Sequence, residues 1–189
     1  QPRNSAAASL IPGFAVPPLF YFVHMAVLSD KSQSVIPEEG QQRSLHLVDI
    51  ENLLSDPLCE DTGYIEATIS DYKHVSEWRA GDQVLVAANP WLSKKLAFSL
   101  QDWTCRLFTA QGPDGADLRL IEEGAQEKLL SQFDQLVVGS GDGIFADAVA
   151  LSSKLGLRSV TVSRSRNLSR KLAAASDEVR MMISQPLAV

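Results

Sequence analysis

The chain has no surplus of positive charge, almost no cysteine or histidine, and no proline-free apolar run long enough to cross a membrane. Lysine and arginine total 17 against 23 aspartates and glutamates, a formal net charge of -6. That balance excludes a protein that coats nucleic acid through a broad basic face. It still allows an enzyme that handles nucleic acid through a metal-loaded acidic site beside a local basic patch. The two cysteines, Cys59 and Cys105, stand far apart and outside any Cys-x-x-Cys pairing, so neither a zinc site nor a disulfide framework is indicated. A reduced, cytoplasmic setting is the default expectation. His24, His46 and His74 share no metal-ligand spacing. Leu10 to Leu28 is mostly apolar and long enough to suggest a span, but Pro12, Pro17, Pro18 and His24 weigh against it. Arg3 is a thin positive start for a signal peptide. No membrane association is expected. Residues 1–44 read as a leader or disordered arm with a polar linker, Met25 as a natural start, and 185–189 as a tail.

What is present is enough apolar residue, 45% of the chain, to build a core, and a regular alternation from Leu45 onward. Strands are expected at Leu45–Asp49, Gln83–Ala88, Thr104–Thr109, Gln135–Gly139, Arg158–Ser163 and Glu178–Ile183. Asp56-Pro57 breaks the chain after the first. Helical spacing predicts helices over Tyr64–Trp78, from the Asn89-Pro90 cap to Leu100, over Ala116–Leu130, from Phe145 to Leu155, and over Asn167–Ala175. Leu118, Ile121, Ala125 and Leu129 are the expected inward face of the third. Strands alternating with helices of about 10–15 residues imply an α/β fold, a three-layer α/β/α sandwich around a mainly parallel sheet spanning residues 45–184.

The stretch Leu136-Val137-Val138-Gly139-Ser140-Gly141-Asp142-Gly143 organises the rest. An apolar strand runs into a glycine-rich turn, so Asp142 lands at the carboxyl edge of the sheet, where open α/β folds place their ligands. Asp49 closes another apolar strand, with Asn52 one turn later, and Asp117 opens the helix before the fourth strand. Carboxylates that converge without basic partners repel, and a hard divalent cation is the usual remedy. Each acid taken alone is also a good helix N-cap or first-turn residue. Three phosphate or nucleophile motifs fail. The sixth position of the dinucleotide fingerprint is Ile144, no Gly-Lys-Ser/Thr follows, and Ser140 is not in Gly-x-Ser-x-Gly.

Val48-Asp49-Ile50-Glu51-Asn52-Leu53 resembles the opening motif of the NYN domain, a branch of the PIN-like nuclease superfamily. Gly115-Ala116-Asp117 resembles its second motif, and Ser140-Gly141-Asp142-Gly143 with Phe145 and Asp147 its third. Ser163 to Leu172 and Ala175-Ser176-Asp177 resemble its closing segment. The resemblance covers roughly residues 45–184. It implies a PIN-like fold and a ribonuclease dependent on Mg²⁺ or Mn²⁺, leaving a 5′-phosphate and a 3′-hydroxyl. It makes Asp49, Asp117 and Asp142 the metal ligands, and has Asn52 orient substrate or a metal-bound water. Two departures stand out. Ile144 occupies the place of a second acid in the third motif, for which Asp147, three residues on, is the expected substitute, or else an ordinary first-turn acid. Asp114 stands where relatives carry a basic residue. RNA is the implied partner, and a homo-oligomer is compatible with it. Phosphate contacts are expected from Ser140, Arg164, Arg166, Ser169, Arg170 and Lys171, each of which also fits a solvated face. A degenerate member that binds RNA or protein without cleaving, and a small-molecule phosphohydrolase, are the alternatives. The second lacks an Asp-x-Asp pair, since Ile50-Glu51 follows Asp49.

Overall fold

Period-two apolar alternation buried on both faces builds the sheet, and it is visible in the first strand. In β1 (Ser44–Asp49), Leu45 and Leu47 enter one core and Val48 the other. The computed structural model describes residues 42–54, 61–101 and 103–182, all within the unit formed by residues 37–189. The expectations for Leu10–Leu28, Asp56-Pro57 and the tail lie outside the described residues. After β1 come α1 (Ile50–Leu54), α2 (Thr62–Val75), β2 (Gln83–Ala88), α3 (Pro90–Ser99) and β3 (Cys105–Thr109). Then follow α4 (Gly115–Gly124), α5 (Glu127–Leu130), β4 (Gln135–Gly139), a 3₁₀ turn (Gly143–Phe145) and α6 (Ala146–Lys154). The chain continues through β5 (Arg158–Ser163), α7 (Arg170–Ala175) and β6 (Glu178–Met181).

The six strands form one sheet in the order β3-β2-β1-β4-β5-β6, and every pairing is parallel. This is the three-layer α/β/α, Rossmann-like sandwich that the alternation implied. α1, α2 and α3 cover one face through Leu53, Ile65, Ile69, Tyr72, Leu92 and Leu96. α4 to α7 cover the other through Leu120, Leu130, Val149 and Leu172, joined by Phe133 and Phe145. The strand order reverses direction between β1 and β4. That switch point opens a crevice at the carboxyl ends of these two strands.

Local chemistry fixes the helix starts. Asn89 caps α3 by accepting the N–H groups of Trp91 and Leu92, with Pro90 in the first turn. Asp61 caps α2 and Ser169 caps α7. At the amino end of the sheet, buried His46 meets the Tyr72 hydroxyl through Nδ1 at 2.9 Å, with Asp82 within ion-pair reach of Nε2 at 3.5 Å. Burial pushes the Asp82 carboxyl up, but His46 and the N–H groups of Ser44 and Arg79 outweigh it and leave it below its ordinary value.

The expected helix over Ala116–Leu130 is two helices, and its inward face is in part the expected one, since Ile121 and Leu129 pack against the core. Ala116, Asp117, Leu120 and Gly124 are buried, whereas Leu118 is 55% exposed. The small residues were the better guide. Leu47 packs so close to Gly124 that a Cβ there would overlap it, so α4 lies down on its small-residue stripe. The last strand ends at Met181, and Trp78 lies beyond α2, with its ring edge-on to Trp103.

Gly139 closes β4 against the buried Tyr72 ring, and a Cβ there would sit 2.6 Å from a ring carbon. Gly139→Ala is therefore predicted to cost about 1–3 kcal/mol through overpacking. Urea unfolding checks this as a lower midpoint with an unchanged slope.

Candidate metal-binding cleft

Asp49, Asp117 and Asp142 reach one cleft from three elements. Asp49 is the last residue of β1, Asp117 lies in the first turn of α4, and Asp142 follows β4. The cleft encloses about 210 Å³, and Glu51, Asn52, Asn89 and Asp114 line it as well. Among the described residues no lysine or arginine lines it. It stands at the switch point between β1 and β4, so the strand order itself brings Asp49 and Asp142 together.

Asp49 is 4% exposed and held from three sides. Its Oδ1 accepts the Asn52 N–H at 3.2 Å and its Oδ2 accepts the Ser140 hydroxyl at 2.9 Å. The Asp117 carboxyl lies against it as well. Two carboxylates so close disfavour each other's charge. Burial, then the neighbouring Asp49, pushes the Asp117 carboxyl up to about 8. Burial also raises Asp49, opposed by its contact with Asp117 and its bonds to Asn52 and Ser140. Asp117 is 9% exposed, and its Oδ1 is shut off from water with no hydrogen-bond partner among the described residues. A buried acceptor without a partner is rare and costly.

Asp142 caps the 3₁₀ turn, its Oδ1 accepting the Ile144 N–H at 2.9 Å. Its own N–H donates to Ser140 Oγ at 3.1 Å. Ser140 thus bridges Asp49 and Asp142. It is fully buried and orients the carboxylates, so the expected phosphate contact from Ser140 is corrected to an internal one. Among the described residues no group of three or more His, Cys, Asp or Glu side chains is already arranged as a metal-ligand set. The hydrogen bonds explain this in physical terms. Asp49 is turned toward Asp117 and Asp142 toward the Ile144 N–H, so the three carboxylates are not presented together.

Asn52 works mainly on the frame. Its Oδ1 accepts the Gly141 N–H at 2.9 Å and its carbonyl accepts Asn167 Nδ2 at 2.8 Å. The loop from β5 to α7 closes over the same turn. The Ser169 N–H donates to the Gly141 carbonyl at 2.7 Å, and a Cβ on Gly141 would sit 2.3 Å from the Asn167 carbonyl oxygen. Gly141 is thus required by close backbone approach, while Gly139 and Gly143 face the side chains of Tyr72 and Ser169.

The remaining expected contacts divide. Arg166 and Arg170 are exposed on the β5–α7 loop and α7, beside the Asp142 turn. Lys171 is exposed but pairs with Asp147 at 3.0 Å. Asp147 is correspondingly turned outward, 86% exposed at its side chain, and does not line the cleft. It does not supply the carboxylate that Ile144 lacks. Arg164 is corrected to a buried strut: 4% exposed, its Nε donates to the Leu53 carbonyl at 2.6 Å. Ser169 Oγ faces Gly143 and accepts the Lys171 N–H, which fixes the cap of α7. Asp177 has a structural role, accepting from the N–H and hydroxyl of Ser159.

Three cleft residues were not singled out from the sequence as site residues. Glu51, pushed up by burial, accepts the Asn89 N–H where β2 ends. Asn89 was read only as a cap. Asp114 was noted only as a departure. It sits at the N-cap of α4 with φ 53°, makes no side-chain cap bond and lines the cleft. The available signal was position: each follows a strand at the carboxyl edge of the sheet.

No family model and no curated protein matches the chain. Among solved structures it is similar to a protein of unknown function from Vibrio parahaemolyticus. The TM-score is 0.56 at 15% identity, over 76% of this chain and 94% of that one. At that identity the likeness defines the class as an α/β sandwich and nothing finer. Among the described residues, no helix is long and apolar enough to cross a membrane.

The Asp49–Asp117 contact has a stability signature. A carboxyl raised in the folded state is favourable below the unfolded value near 3.8, and that contribution is lost as pH rises toward about 8. Asp117→Asn removes the repulsion and keeps the shape. The variant is predicted to match wild type near pH 4 and to exceed it by about 1–3 kcal/mol at pH 8, discounted for water at the cleft mouth. Melting curves across that pH range check it.

Proposed function

We propose that this chain is a metal-dependent ribonuclease of the NYN, PIN-like type, cleaving RNA phosphodiester bonds at a carboxylate-bound Mg²⁺ or Mn²⁺. One observation carries the reading. Three carboxylates from β1, α4 and the β4 turn meet in a cleft that no described lysine or arginine lines, and buried Asp117 keeps an oxygen without a partner. A hard cation with oxygen ligands fits that donor set.

Asp49, Asp117 and Asp142 would hold the ion. Bound there, it supplies charge neutralisation at a phosphate oxygen and a more acidic water. Ser140 and Asn52 hold the carboxylates at their separation through hydrogen bonds to Asp49 and to the Gly141 turn. Arg166 and Arg170 flank that turn and offer phosphate contacts without base readout. The rest of the chain is acidic, so RNA binding would fall with added salt only modestly, in proportion to these few contacts.

A second reading, an RNA-binding domain without catalysis, is favoured by the outward turn of Asp147 and by Ile144 in the third motif. The test is cleavage of end-labelled RNA with Mg²⁺, with Mn²⁺ and with EDTA, beside Asp142→Asn. Expected are 5′-phosphate products, complete loss in EDTA, and at least an approximately 100-fold loss in the variant. Equal cleavage by wild type and variant overturns the ribonuclease reading. Binding without cleavage in either metal establishes the second one.

A further inference from the structure

α3 differs in charge from the chain that carries it. It holds Lys94 and Lys95 and no aspartate or glutamate, within a chain of formal net charge -6. Its inward side is settled, since Leu92, Ser93 and Leu96 are buried. Trp91, Lys95 and Phe98 stand at i, i+4 and i+7, which places them on one stripe along the helix. Phe98 is 74% exposed, and Lys94, four residues before it, is exposed as well. Trp91 anchors the stripe, half-buried against the core. The Lys95 ammonium lies 4.2 Å from the centre of the Trp91 ring, a cation–π contact that orients the indole and keeps a positive charge beside it. Resting on the RNA reading above, we propose that this stripe of α3 is a track for single-stranded RNA, with bases stacking on Trp91 and Phe98 and phosphates meeting Lys94 and Lys95.

The place of α3 in the fold supports it. Asn89, its N-cap, lines the acidic cleft, so the helix starts at the cleft wall, and Phe98 lies about 10 Å along the axis from Trp91. The central strands run in the order β2, β1, β4, β5. α3 follows β2, Asp49 ends β1, Asp142 follows β4 and Arg166 follows β5. Cationic groups therefore stand on both sides of the carboxylates in the sheet order, and a strand held by both crosses the cleft between them. The chemistry selects a single strand. Aromatic faces stack on unpaired bases of any sequence, and lysines add phosphate contacts without base readout. In a duplex the bases are already stacked on one another, and the aromatic stripe has nothing to take.

Fluorescence anisotropy on the full chain tests this, with labelled oligouridine and with its duplex with oligoadenine, in EDTA and again in Ca²⁺. Wild type is expected to bind the single strand at least about tenfold more tightly than the duplex. Phe98→Ala is expected to weaken single-strand binding about fivefold or more, with an unchanged melting temperature because its ring stands in solvent. Lys94→Gln is expected to flatten the slope of log affinity against log salt by about 0.7, the share of one phosphate contact on a single strand. Wild-type affinity kept in both variants, or a duplex bound as tightly as the single strand, overturns the track and leaves the carboxylate cleft standing. Self-association that is lost in Phe98→Ala while RNA affinity is unchanged assigns the stripe to a second copy of the chain and overturns the track too. No RNA bound by wild type in either condition overturns both the track and the RNA reading.

Discussion

Two buried carboxyl groups in contact, Asp49 and Asp117, are the constraint around which the rest of the molecule is arranged. Nothing in the burial of apolar surface calls for them. Asp49 ends a strand at the centre of the sheet and is 4% exposed, and Asp117 faces it from the first turn of α4. An uncompensated buried charge costs several kcal/mol, which is a large share of the stability of an ordinary domain. The fold accommodates the contact because the Ser140 hydroxyl and the Asn52 N–H donate to Asp49, while burial and Asp49 hold the Asp117 carboxyl above its ordinary value.

The surrounding architecture reads as support for that contact. The reversal of strand order between β1 and β4 creates the crevice, and the β4 turn brings Asp142 to its edge. The loop after β5 then straps the turn down. Arg164 ties the loop to the Leu53 carbonyl, Asn167 ties it to the Asn52 carbonyl, and Ser169 ties it to Gly141. Residues that look like substrate ligands in the linear chain are therefore spent on holding the acids in place. The exposed cations left over, Arg166 and Arg170, lie on the strap itself and at the start of α7.

Much of this was legible in the sequence, for identifiable reasons. β2, β4 and β5 span the residues expected because apolar runs closed by Gly, Asn or a charge leave little freedom in where a buried parallel strand ends. Asp49 and Asp142 were legible because both close such runs. The orientation of α4 was legible only in part: Ile121 packs against the core as expected, but Leu118 is exposed, and the tight approach of Leu47 to Gly124 sets the buried stripe. The roles of Arg164 and Ser140 were hidden for a related reason. A basic or hydroxyl side chain near a strand end can point into a cleft or into the frame, and partners distant in sequence, Leu53 and Asp49, settle it. Asp147 looked well placed on helical spacing, but Lys171 from α7 draws it outward. Glu51, in α1, and Asp114, at the start of α4, were not read as cleft residues because the loops that bring them there follow no local pattern.

The central claim is that the acids at this crevice are held against their mutual repulsion so that a divalent cation can relieve it. The most direct measurement is the melting temperature as a function of Mn²⁺ concentration at constant ionic strength, for wild type and for Asp49→Asn. Binding to the folded state alone raises stability with the logarithm of ligand concentration. The account predicts a melting temperature that climbs steadily with Mn²⁺ in wild type and is nearly flat in the variant. A wild-type protein indifferent to Mn²⁺, or an equal rise in both, would contradict it.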